Sequence, residues 1–182
     1  QNALEKSTNS QYNVAIGSVA LQDLTSGQHN LCIGYDAGKD IQSNSYNIAI
    51  GSNALSTKTG GEGYNTAIGN NSLRNATSGY NEAFGSDSLL SCTIGTRNVA
   101  LGYGTLKNNI LGDGNVAIGH GAGLNTKGSN NTVIGRISDI SSENGTNQIV
   151  IGAITTGLGD NKAVIGNNDI TDVHMAQDSG AT

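Results

Sequence analysis

Apolar residues recur along this chain in short clusters and never in long runs. One phrase closes on glycine at Gly17, Gly34, Gly51, Gly69, Gly85, Gly102, Gly119, Gly135, Gly152 and Gly166, at steps of 17, 17, 18, 16, 17, 17, 16, 17 and 14 residues. The residue before the glycine is always apolar: Ile16, Ile33, Ile50, Ile68, Phe84, Leu101, Ile118, Ile134, Ile151, Ile165. Two before it stands a smaller residue: Ala15, Cys32, Ala49, Ala67, Ala83, Ala100, Ala117, then Val133, Val150 and Val164. Four before it stands Asn13, Asn30, Asn47, Asn65, Asn81, Asn98, Asn115 or Asn131, replaced at the end by Gln148 and Lys162. Four after the glycine comes a second apolar column, Leu21, Leu55, Leu73, Leu89 and Leu106, interrupted by Gly38 and Gly123.

Clusters of four or five residues are too short for helices and suit strands. A repeat near 17 residues with two such pieces and two turns predicts one coil of a parallel β-solenoid, about ten coils of 16–18 residues in all. The glycine column gives every coil a turn at φ > 0. Asparagine tolerates that region too and can hydrogen-bond along the stack. Residues 1–135 carry the regular repeat; residues 136–182 are degenerate, reading as a cap or connector. Leu4 lies one repeat before Leu21, so the chain reads as beginning inside a coil, as part of a longer fibre.

Neighbouring strand residues point to opposite faces. The apolar column before the glycine and the small column are therefore expected on opposite sides of the wall. The small column, Ala15, Cys32, Ala49, Ala67, Ala83, Ala100 and Ala117, is taken as a flat exterior stripe that sister chains would cover, with a homotrimer as the expected arrangement. Glu82 breaks the alternation, on the same side as Phe84.

Composition agrees with a thin core: hydrophobic residues are 35%, aromatics 4%, with no Trp, no Pro and 27 Gly. A net charge of −5 with scattered Lys and Arg argues against nucleic acid. No apolar run is long enough to span a bilayer, so direct membrane insertion by this segment is not expected. Cys32 and Cys92 lie about 17 Å apart along the axis at about 4.8 Å per coil, too far for a disulfide.

The phrase Asn-x-Ala-Ile-Gly resembles the YadA-like head repeat of trimeric autotransporter adhesins. That resemblance implies a left-handed parallel β-roll in a tight trimer, intertwined or side by side. The longer unit and the tail "VIGNNDITDVHMAQDSGAT" are similar to tail-fibre-like proteins that precede a self-cleaving intramolecular chaperone domain. The resemblance covers roughly residues 1–170 and implies an extracellular place, on a cell-surface fibre or a virion tail fibre. Tyr12, not Ser, precedes "NVAIG" and the longer adhesin phrase is absent, so collagen binding is not carried over.

No catalytic constellation recurs. His29, His120 and His174 are scattered, no metal-ligand spacing exists, and neither an enzyme nor a cofactor is expected. One column offers contact chemistry: Tyr12, His29, Tyr46, Tyr64, Tyr80 and Arg97 each precede the column asparagine. Stacked coils would align them as a ladder, serving register or offering a strip for a cell-surface glycan or protein. Tyr35, Tyr103 and His120 form a sparser second column. The expected function is a non-enzymatic extracellular fibre or adhesin head segment for attachment or recognition; the alternative is a structural shaft whose binding tip lies elsewhere.

Overall fold

The computed structural model describes residues 2–57 and 60–173. It is all-β, without a helix among the described residues. Each glycine phrase forms one three-residue strand: β1 Val14–Ile16, β2 Leu31–Ile33, β3 Ile48–Ile50, β4 Thr66–Ile68, β5 Glu82–Phe84, β6 Val99–Leu101, β7 Val116–Ile118, β8 Thr132–Ile134, β9 Ile149–Ile151 and β10 Ala163–Ile165. All ten join one parallel sheet in chain order. Pairing follows the repeat register, with Ala15 opposite Cys32 and Ala49 opposite Ala67. The chain is a β-solenoid.

The second apolar piece is not a strand, contrary to the expectation of two strands per coil. It forms turns that still hydrogen-bond coil to coil, as from Leu21 N to Ala37 O (3.1 Å) and Asp23 N to Lys39 O (3.0 Å). The reason is its backbone. Leu21, Leu55, Leu73, Leu89 and Leu106 all lie at φ between 48° and 50°, which no extended strand permits. Gly38 and Gly123 interrupt the leucine column because their φ of 59° and 61° is the conformation glycine adopts freely. Leucine held there is strained by about 1–3 kcal/mol. Full burial of the side chain returns roughly 1.5–3 kcal/mol, which offsets it.

The glycine that ends each strand is required twice over. From Gly17 to Gly152 its φ runs between 128° and 143°. A Cβ on Gly34 or Gly51 would also stand 2.5 Å from the carbonyl oxygen of the next coil's glycine. No other residue closes both gaps without parting the coils.

The core is a thin seam between strand and turn. Cys32, Ala49, Ala67, Ala83, Ala100 and Ala117 line one wall and the leucine column the other, all completely buried. A Cβ on Gly38 would meet Cys32 Sγ, and one on Gly123 would lie 3.6 Å from Ala117 Cβ, so the two columns of a coil face each other. Large therefore opposes small, as interior packing density demands.

The asparagine column is a buried hydrogen-bonded ladder. Oδ1 of Asn81 accepts from both the backbone N and Nδ2 of Asn98, each at 3.1 Å, and Asn98 Nδ2 also donates to Gly112 O at 2.8 Å. Asn115 and Asn131 repeat this arrangement. These asparagines do not occupy the left-handed region; the residue before each does, at φ 58° in Tyr12 and 62° in Tyr80. The preceding residue turns the chain, and the asparagine ties the turn down.

Candidate functional surface

The expected ladder exists, and its geometry follows from the turn. Because the residue before each asparagine is left-handed in coil after coil, its side chain leaves the rod in the same direction every time. Tyr12 stacks on His29 at 4.9 Å between ring centroids, His29 on Tyr46 at 5.0 Å, Tyr46 on Tyr64 at 5.0 Å and Tyr64 on Tyr80 at 5.2 Å. Ring planes lie within 10° of parallel throughout. Arg97 continues the column, its guanidinium carbon 6.0 Å from the Tyr80 centroid. Every interior ring has neighbours on both faces. The ridge therefore presents ring edges and hydroxyls, not open faces on which a sugar ring could lie.

Tyr80 is distinguished by its neighbour Glu62. The carboxylate's negative charge, with some burial and a hydrogen bond between the two side chains, holds the phenol above its ordinary range. In the second column, Tyr103 stacks on His120 at 5.2 Å, while Tyr35 has no ring partner among the described residues. His174 lies outside the described residues.

The sheet's outer face is the larger feature, and it corrects the expected interface. Cys32, Ala49, Ala67, Ala83, Ala100 and Ala117 are buried inside their own chain, so no sister chain can cover them; Ala15, in the first strand, is half-buried. The cause is volume. The leucine wall already fills the interior, so only small residues fit opposite, and alternation sends the large residues on either side outward. Two outward columns result: Val14, Leu31, Ile48, Thr66, Glu82, Val99, Val116, Thr132, Ile149 and Ala163, beside the Ile, Phe and Leu that precede each glycine. Of these twenty positions only Thr66, Thr132, Ala163 and Glu82 are not large and apolar, and Glu82 alone is charged. At about 4.8 Å per strand and 3.3 Å per residue the stripe is roughly 43 Å by 10 Å, on the order of 400 Å². That is within the range of about 300–600 Å² that marks the largest, often functional, patch on a monomer.

The sequence contained a signal for this. Two large columns flank one small column at matched parity, and a third large column stands across the coil. Counting volume, not size alone, places the small column inside.

Cys32 and Cys92 are free and buried. Burial pushes both thiols up to about 12, so neither is a thiolate nucleophile near neutrality. Among the described residues no group of three or more His, Cys, Asp and Glu is placed to hold a metal. No helix among them is long and apolar enough to cross a membrane. Among the described residues ion pairs are superficial, the least exposed being Lys107 Nζ to Asp87 Oδ2 at 3.0 Å. Asn71 and Lys107 both donate to that carboxylate and hold it below its usual range.

Searches against protein-family models, curated proteins and solved structures find no match to this chain.

Proposed function

We propose that this chain is a non-enzymatic segment of an extracellular fibre, assembling as a homotrimer that displays a surface for attachment or recognition. The observation that carries it is the outer sheet face, a mostly apolar stripe across all ten strands. Three identical stripes turned toward one axis bury each other completely, and the repeat keeps like residues level. The likeness of Asn-x-Ala-Ile-Gly to the YadA-like head repeat points to the same number of chains. A cell-surface glycan or protein is the ligand class, met by the hydroxyl edge of the tyrosine ridge, whose repetition in three chains supplies avidity.

A second reading is a structural shaft with binding done by another part of the fibre. The closed ring faces of the ridge favour it, since stacking already uses the surface that sugars prefer. Light scattering should give three times the 18.5 kDa chain mass. Ile118→Glu, on the outer face, should yield folded single chains; a monodisperse monomer from the unaltered protein would sink the proposal. Cell-surface binding by the trimer, lost in Tyr46→Ser/Tyr64→Ser at unchanged melting temperature, selects recognition over the shaft.

A further inference from the structure

The tyrosine ridge has a chemistry apart from contact. Tyr46, Tyr64 and Tyr80 are consecutive in the stack, at 5.0 and 5.2 Å with planes 9° and 3° apart. They are 50%, 51% and 41% exposed, so small oxidants reach them. Each stands at the same repeat position, so the carbons flanking one hydroxyl face the equivalent carbons of the next ring. His29 separates Tyr12 from this group and Arg97 ends it. Tyr35 and Tyr103, 57% and 53% exposed, have no tyrosine neighbour among the described residues.

We propose that Tyr46, Tyr64 and Tyr80 form an oxidative cross-linking site, at which a one-electron oxidant of the peroxidase and hydrogen peroxide class joins neighbouring phenols into dityrosine and staples successive coils. Each of two phenols loses one electron and its hydroxyl proton, giving two phenoxyl radicals. The radicals combine through carbons ortho to oxygen, forming one carbon–carbon bond. The two hydrogens on those carbons then move to the oxygens as the rings regain aromaticity. The net loss is two electrons and two protons, which reduce one hydrogen peroxide to two waters. The hydroxyl protons pass to solvent, which reaches the exposed rings. Coupling needs the rings to pivot from stacked to edge contact, which rotation about χ1 and χ2 allows on an exposed ridge.

The folded chain is treated with peroxidase and hydrogen peroxide at low protein concentration, then read by dityrosine fluorescence and peptide mass spectrometry. The expected product links Tyr64 to Tyr46 or Tyr80 within one chain, two hydrogens lighter than the parent peptides. Tyr64→Phe keeps the stack and removes the phenol, so the yield should fall several-fold. Tyr35→Phe and Tyr103→Phe should leave it unchanged, and unfolding in guanidinium should scatter the linkages. Equal yield from Tyr64→Phe, linkages centred on Tyr35 or Tyr103, or linkages only between chains would overturn the proposal. None of these readouts depends on what the fibre binds.

Discussion

The coils up to Gly135 and the coils beyond it share one sheet yet fill their cores differently. In most of the regular coils a small residue on the strand faces a leucine held in the turn, as Ala67 faces Leu73 and Ala100 faces Leu106. Beyond Gly135 the leucine position holds Asp139 and Thr156, and the strand residue grows to Val133 and Val150. Coil 2 balances in the same way, with Cys32 opposite Gly38. Coil 7 departs from this balance, with Ala117 opposite Gly123, so the exchange of volume between the columns is not uniform along the rod. The late coils also drop the strained leucine and join their turns by a parallel bridge between Asp139 and Thr156. The ladder changes in step. Gln148 still donates its backbone N to Asn131, but its amide turns to Ser141 and Asp160.

Charge in the seam should separate the two regions most strongly. Ala67→Glu places a carboxylate in a fully buried site with no partner, and we expect a loss above about 3 kcal/mol, enough to unfold the coil. Val164→Glu, in the half-buried last strand, should cost far less. Urea midpoints of the two variants test this; equal losses would mean that the end coil is as closed as the middle.

Cavity mutations come next. Leu73→Ala should lose about 2–5 kcal/mol, and Val133→Ala nearer 2 kcal/mol. Leu73→Gly sharpens the comparison, because glycine relieves the strain at φ 48° that alanine keeps. We expect Leu73→Gly to be no less stable than Leu73→Ala, the reverse of what holds in a helix. A Leu73→Gly variant that melts well below Leu73→Ala would show that the left-handed turn carries no strain.

The smallest effect concerns acid. Asp87 in the regular coils has its folded pKa lowered by Asn71 and Lys107, so its contribution is present above the ordinary carboxylate value of about 3.9 and lost as pH falls through the folded pKa. The pair is partly exposed, so the contribution is below about 1 kcal/mol. Lys107→Met should flatten the acid limb of the stability curve.

Much of this was written in the sequence. The glycine spacing alone sets ten strands in register, because a residue without Cβ is needed wherever two coils' backbones touch at one place. The ladders of Asn and Tyr follow from the same count, since identical positions one repeat apart must stack. The tertiary structure decided which way each column faces. Ala67 and Ile68 are both apolar and adjacent, and alternation separates them without saying which is inside. Leu73 settles that from across the coil by filling the seam so that only alanine fits opposite. It also decided that the second apolar piece turns instead of extending. A leucine at φ 48° leaves no mark on local pattern, because its strain is offset only by burial that exists once the coil has closed.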